Sequence, residues 1–419
     1  MKKCLMLACL AAALASPTFA AEGAVPTGIP HLDHVFVIMM ENHGYTQIVG
    51  NPNAPYVNFY MKTANAATNY FAVGHPSSTN YLEVVGGSNF GDRSDNAPDW
   101  HNANCTPNLQ SGTVTTDFPS SGPVCPIAGT GTDAETPAID LTNECPSTTD
   151  PCPPGLIDIN GTLFIPAAAN TVGKSIADQL AEHGMSWKSY QESLPPTGAD
   201  GIKYSDGFFT DLSNIPGILP GEMQTLIDLY AAKHDPFVYF KSVQEGTTSG
   251  SSLKNVVGFE GEHGLFADLS SGRVPALSFI APNQCNDQHG RSNAGPQCDF
   301  DPVDNGSQQG LNPALIFLGD QTVRNLVTSI HNSPVWKQGS NAIIVLWDEN
   351  DYSFYPNVNR VLTIIDINHG THGHSSSQFY THFSLLRSIE GGFGLPCLNH
   401  ACDSTTATMT DLFGGDSRK

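Results

Sequence analysis

Positive charge is scarce in this chain of 419 residues: Lys and Arg total 18 against 40 Asp and Glu, for a net charge of -22. A surface of that sign repels nucleic acid and anionic lipid at long range, so a nucleic-acid partner is not expected. Any anionic substrate needs something local to draw it, and a bound cation is the obvious candidate. Past the N-terminus there is no apolar run long enough to span a membrane, so no transmembrane segment is expected. The cysteines show no CxxC spacing, which argues against a zinc ribbon or finger. Internal repeats and long charge runs are also missing.

What is present begins with a leader. Lys2 and Lys3 precede a short apolar stretch and small residues up to Ala20, the pattern of a signal peptide over 1–20. Removing Cys4 and Cys9 with it leaves an even number of cysteines, which in an exported chain favours disulfides. Cys285 with Cys298 and Cys397 with Cys402 are the expected close pairs. Cys105, Cys125, Cys145 and Cys152 are expected to pair among themselves. The stretch from about 92 to 170, rich in Gly, Pro, Thr, Asp and Cys, reads as a disulfide-pinned insertion in a single domain over 21–419.

Apolar runs without polar alternation suit buried strands of a mainly parallel sheet: "HVFVIMM" (34–40), "PFVYF" (236–240), "ALSFIAP" (276–282), "AIIVLW" (342–347) and "VLTIID" (361–366). Helical patterns lie between them at 175–184, 320–333 and 383–394, opened by Ser or Asp or closed by Gly. Strands alternating with helices predict an α/β layered fold. In such a sheet, ligands bind beyond the carboxyl ends of the strands. There, "VIMM" runs into Glu41 and Asn42, "SFIAP" into Asn283, Asp287 and His289, and "IIVLW" into Asp348, Glu349, Asn350 and Asp351. Carboxylates gathered this closely repel unless a cation sits among them. Glu41, Asn42, Asp348 and Glu349 are therefore the candidate ligands of a divalent ion. Oxygen donors suit the magnesium, calcium or manganese kind, and a histidine admits zinc or iron. The polar loop "GHPSSTNY" (74–81), one helix after the first strand, returns to the same rim. A metal there would activate one of its hydroxyls, on Ser77, Ser78 or Thr79. His75 stands ready to contact a phosphate oxygen, and "NHGTHGH" (His369, His372, His374) reads as an exposed loop, with His372 the alternative ligand.

Taken together, "VFVIMMENHGY", "HPSSTNYLEVVGG", "FIAPNQCNDQHG", "AIIVLWDEND" and "THFSLLRSIEGGFGLP" resemble, in order, the motifs of the phosphoesterase family of bacterial acid phosphatases and phospholipases C, within the alkaline-phosphatase-like superfamily. The resemblance implies a three-layer sandwich around a mainly parallel sheet. It makes Ser77 the nucleophile and Asn80 the residue that fixes the loop's register beside the substrate. Asp287, His289 and His382 become phosphate-pocket or acid/base residues. Ser78, Thr79 and Thr381 stand where the family usually has Leu, Pro and Asp. The implied activity is that of an exported, periplasmic or secreted, metal-dependent acid phosphatase acting on phosphomonoesters through a phosphoserine. The alternatives are a phospholipase C or other phosphodiesterase, and a catalytically silent binding protein. A sulfatase is disfavoured because the Cys/Ser-x-Pro-x-Arg signature is missing.

Overall fold

The computed structural model describes residues 22–100, 104–111, 123–134, 136–137, 164–165, 167–168, 170–196, 198–199, 229–291, 294–303, 306–350 and 359–415. The leader, Cys145, Cys152 and Asp351 lie outside the described residues. A nine-stranded sheet forms the centre. In chain order its strands are β1 (His34–Met40), β2 (Asn65–Phe71), β3 (Trp187–Gln191), β4 (Val256–Gly258), β5 (Leu277–Ala281), β6 (Asn341–Trp347), β7 (Arg360–Ile367), β8 (Ser375–Ser376) and β9 (Tyr380–Thr381). They are ordered β8-β2-β7-β6-β1-β5-β3-β4, with β9 also pairing β2. β7 is antiparallel to β6 and β2, and the other pairings of this sheet are parallel.

β1 owes its central place to its composition. Val35 through Met40 are all buried, flanked by β6 on one side and β5 on the other. Each such aliphatic side chain contributes about 1.5–3 kcal/mol by leaving water. Helices cover the sheet: α1 (Pro55–Thr63), α2 (Ser77–Gly86), α3 (Ile176–Glu182), α4 (Pro313–Asn332) and α5 (His382–Phe393). α3 begins at the Ser175 its sequence predicts, in a capping box with Asp178. α2 is buried along its whole length and stops at Gly87, whose φ is +68°. A Cβ there would lie 2.6 Å from the Leu398 carbonyl oxygen, so only glycine fits the turn.

Three expectations about elements change. "PFVYF" is not a strand: Pro236–Tyr239 forms a 3₁₀ turn, because proline at its start suits a helical first turn and supplies no N–H to a ladder. The helix expected at Asp320 begins at Pro313, capped by the Asn312 side chain. Asp320 lies inside it, buried and accepting from the Val57 N–H at 2.8 Å. The GHPSSTNY loop follows β2 rather than a helix after β1. β2 is rich in Asn and Ala and lacks the apolar run that marks its neighbours.

The disulfides Cys105–Cys125, Cys285–Cys298 and Cys397–Cys402 are formed, the last two as the expected pairs. Thr130–Gly131 pairs with Thr171–Val172 at the end of the insertion, Thr136–Pro137 pairs with Phe164–Ile165 within it, and Ile127 bridges to Phe240 of the body. His369, His372 and His374 are exposed, in keeping with a loop reading. Among the described residues, no helix is long and apolar enough to cross a membrane.

Candidate active site

Because β1, β2, β5, β6 and β9 run the same way, their carboxyl ends share one rim. The residues that follow them meet there. β1 ends in Glu41 and Asn42. Asn42 takes the left-handed conformation (φ +51°), which asparagine tolerates and which turns its N–H onto Asp348 Oδ1 at 3.0 Å.

α2 starts at Ser77 and presents that hydroxyl to the acidic rim. Ser77 Oγ donates within 3.1 Å of Glu41 Oε2, 3.2 Å of Glu349 Oε1 and 3.4 Å of Asn42 Oδ1. The adjacent hydroxyls point elsewhere. Ser78 Oγ donates toward Asp92 Oδ2 and Thr79 Oγ1 to the Pro76 carbonyl. A one-residue step along a helix rotates a side chain by about a quarter turn or more, so only one of the three can face the rim. The N-terminus of α2 also brings partial positive charge to this point.

Asn80 braces the loop. Its Oδ1 accepts from the Val73 and Gly74 N–H groups, both at 3.1 Å. Its Nδ2 donates to Gly74 O at 2.8 Å and Glu349 Oε2 at 3.0 Å. His75 Nδ1 lies 2.8 Å from the same Glu349 oxygen. His382, at the start of α5, stands behind Asp348: its Nε2 donates to the Asp348 carbonyl at 2.7 Å and its Nδ1 accepts from the Tyr70 hydroxyl at 3.0 Å. Burial lowers its pKa to about 4, so the ring is neutral.

Two residues that the sequence reading passed over complete the cluster. Lys233 and His234 precede the Pro236 turn and are buried. Lys233 Nζ pairs with Asp95 Oδ2 at 2.8 Å and donates to His289 Nε2 at 3.2 Å. Burial alone would depress its pKa, but Asp95 and Glu41 hold it above the usual lysine value. His289 directs Nδ1 at the Gly290 carbonyl, 2.9 Å away, so that nitrogen carries the proton and Nε2 offers a lone pair. Burial, aided by Lys233, drops its pKa to about 3. The signal available in the sequence was Pro236 itself, which demotes "PFVYF" from a central strand and leaves "KHD" on a turn facing the rim.

The electrostatics call for a cation. Burial raises the pKa of Glu41, Asp287 and Asp348 well above the carboxylate range, with mutual repulsion adding to it; Glu349 is raised by burial and partly restored by His75. His234 sits between two of these carboxylates, Nε2 3.1 Å from Glu41 Oε1 and Nδ1 3.2 Å from Asp287 Oδ2. Burial first, and then Lys233 and His289, press its pKa far below that of free imidazole. A neutral ring has one N–H for the two acidic groups, so the other contact needs a carboxyl proton or a cation. Glu41 Oε1, His234 Nε2, Asp287 Oδ2 and Asp348 Oδ2 are buried without an aligned hydrogen bond. Glu41, His234 and His289 offer ligand atoms all within 4.8 Å of one another, a possible metal-binding triad. Of the four ligands expected from sequence, Glu41 belongs to it. Asn42 and Glu349 touch Ser77 beside it, Asp348 holds the Asn42 N–H, and His289 joins the triad from the acid/base group.

Comparison with known proteins gives relatives at low identity. An acid phosphatase of Aspergillus fumigatus is 23% identical over 363 residues, covering 87% of this chain and 55% of the relative. A phosphate-repressible acid phosphatase of Penicillium chrysogenum is 25% identical, covering 79% and 52%. The chain thus spans about half the length of these relatives. A phosphatidylinositol-3-phosphatase of Mycobacterium tuberculosis is 22% identical and covers 94% of this chain and 88% of its own. Among solved structures, a protein in the alkaline phosphatase superfamily from Vibrio parahaemolyticus aligns over 93% of this chain and 74% of its own, at 12% identity and a TM-score of 0.45. The profile of the Phosphoesterase family matches residues 51–297, well over half of the sequence, and on that match the chain belongs to the Phosphoesterase family.

Proposed function

We propose that this chain is an exported, metal-dependent phosphomonoesterase, an acid phosphatase in the sense of its fungal relatives, with Ser77 as the nucleophile. The observation that carries the reading is the Ser77 hydroxyl at a helix N-terminus, touching Glu41 and Glu349 within a buried cluster of four carboxylates. Glu41, His234 and His289 would hold a divalent ion, with Asp348 Oδ2 within the same acidic group and Lys233 giving up its contact to His289. When bound, such an ion supplies Lewis acidity to the phosphoryl group and favours the serine alkoxide.

The chain's own residues account for the remaining chemistry. Ser77 Oγ attacks phosphorus while its proton passes to a carboxylate it already touches, Glu41 or Glu349. Burial has raised the basicity of both. The ester P–O bond breaks with its electron pair going to the alcohol oxygen. That oxygen takes its proton from a water at the open edge of the rim, beside half-buried His289, and the carboxylate that received the serine proton returns it to that water. A second water then attacks phosphorus, its proton passes to the freed carboxylate and from there to the departing Ser77 oxygen, and phosphate and the serine hydroxyl are released. Lys233 supplies fixed positive charge opposite the phosphoryl oxygens. Asp287 orients His234 in the manner of a carboxylate behind a metal-binding imidazole. His382 positions the Asp348 backbone, and with both ring nitrogens engaged it does not serve as the acid. Export agrees with the three disulfides among the described residues and with the leader pattern.

The test is hydrolysis of p-nitrophenyl phosphate and its bis-ester, with acid quench and mapping of the phosphorylated peptide. Monoester turnover that chelation abolishes, with the phosphoryl group on the Ser77 peptide, supports the reading. Faster turnover of the bis-ester would move it to a phosphodiesterase, and no turnover with any metal would leave a silent binding protein.

A further inference from the structure

We propose that Phe300 is a specificity-determining residue of this site, an apolar platform for the leaving group, so that the preferred substrates are phosphomonoesters of alcohols carrying an apolar body. The inference rests on the phosphomonoesterase reading and extends it to a substrate class.

Phe300 packs edge-on against His289, with ring centroids 5.9 Å apart, while 45% of its surface remains exposed. It therefore borders the open side of the rim, next to a member of the triad. An exposed aromatic residue taken singly is ordinary. This one sits on an anchored loop. The Cys285–Cys298 disulfide closes the loop beneath it. Asp301, the next residue, takes His43 Nε2 at 2.9 Å on one carboxylate oxygen and the Asn312 N–H at 2.6 Å on the other. His43 Nδ1 is in turn 2.9 Å from the carbonyl of Glu41. Asn312 Nδ2 donates to the carbonyls of Pro296 and Asp299. The backbone at Gly290 leaves room for the ring: φ is +90°, and a Cβ there would lie 3.0 Å from Phe300 Cδ1 and 3.1 Å from its Cα.

A free loop would fold such a ring onto the nearest apolar surface, since burial stabilises it. Here the loop is anchored to the strand end that carries Glu41 and to the cap of α4, and the ring stays at the rim. The phosphoryl group belongs with the charged residues, and His289 is the half-buried member of the triad, so an alcohol leaving beside it passes Phe300. An apolar alcohol gains contact on that path, and a polyol gains none.

The experiment compares n-hexyl phosphate with glycerol 3-phosphate, both esters of poor alcohol leaving groups, on the full chain with metal supplied. Wild type, Phe300→Ala and Phe300→Leu are assayed by phosphate release, with thermal melts to establish folding. The expected result is a KM for hexyl phosphate raised about tenfold by Phe300→Ala, with kcat and the glycerol 3-phosphate KM within about twofold of wild type. Phe300→Leu is expected to retain most of the hexyl phosphate affinity. An equal change for both substrates, or no change for hexyl phosphate, overturns the platform while leaving the phosphomonoesterase reading intact. A wild-type protein that hydrolyses neither ester overturns that reading, and this inference with it.

Discussion

Replacing Asn80 by aspartate changes one atom of the side chain and should be among the most damaging substitutions in the rim. The Oδ1 contacts to the Val73 and Gly74 N–H groups survive. The Nδ2 donor, which serves Gly74 O at 2.8 Å and Glu349 Oε2 at 3.0 Å, becomes an oxygen facing a carbonyl and a carboxylate. Two unit charges that close repel by about 5 kcal/mol at an effective dielectric of 20. The site escapes by protonating the new carboxyl. For a group of ordinary pKa near 3.9 that costs about 5 kcal/mol at pH 8 but only about 1.5 kcal/mol at pH 5. The sign follows from linkage. The folded-state pKa of the introduced group lies above its unfolded value, so stability is fullest below the unfolded pKa and falls as pH rises through the folded one. Chemical denaturation of Asn80→Asp and wild type at both pH values, with kcat/KM alongside, is the assay. A loss of several kcal/mol at pH 8 that mostly recovers at pH 5 is expected. Asn80→Ala, which takes the side-chain partner from the Val73 and Gly74 N–H groups and from the Gly74 carbonyl without adding charge, should lose about 3–5 kcal/mol with little pH dependence. An Asn80→Asp protein as stable and active as wild type at pH 8 would refute the bracing role.

Ser77→Ala should abolish turnover, whereas Ser78→Ala, whose hydroxyl faces Asp92, should lower kcat/KM by less than about tenfold; equal effects on steady-state kinetics would count against the assignment. His234→Ala should weaken Mn²⁺ or Zn²⁺ binding by about 100-fold or more by calorimetry, and Asp287→Asn by about 10–100-fold through loss of the orienting carboxylate; unchanged affinities would place the ion elsewhere. His382 is held neutral, its pKa lowered from 6.5 to about 4, so it contributes stability above pH 6.5 that is lost as pH falls toward 4, about 3 kcal/mol in all. His382→Asn should flatten that part of the stability–pH curve, and an unaltered curve would assign the acid sensitivity to other groups. Replacing Cys285 and Cys298 together should destabilise by about 3 kcal/mol, as expected for a closed loop of this length, and should loosen Phe300; denaturant midpoints and the hexyl phosphate KM report the two effects separately.

Local pattern in the sequence determined the parts whose signal is carried by adjacent residues. The runs at 34–40, 276–282, 342–347 and 361–366 became strands because unbroken apolar stretches bury on both faces, and their polar ends, Glu41, Asp287, Asp348 and Glu349, became the rim. Cys285–Cys298 and Cys397–Cys402 were legible because short spacings bring thiols together whatever the fold. Tertiary structure decided what depends on distant partners. β2 pairs with β7, β8 and β9, although its Asn- and Ala-rich sequence lacks the unbroken apolar run that marks the other long strands. Lys233 and His234 sit on a short turn that Pro236 alone marks locally, and they enter the site because Asp95, Glu41, Asp287 and His289 converge on them from other elements. His382 reads in sequence as an available imidazole. The fold makes it a brace, since the Asp348 carbonyl and the Tyr70 hydroxyl claim both nitrogens and burial removes its charge. Which residue types reach the rim follows from hydrophobic pattern and topology. Which of them are free to act is fixed by hydrogen-bond partners and desolvation, and those exist only once the chain has closed around them.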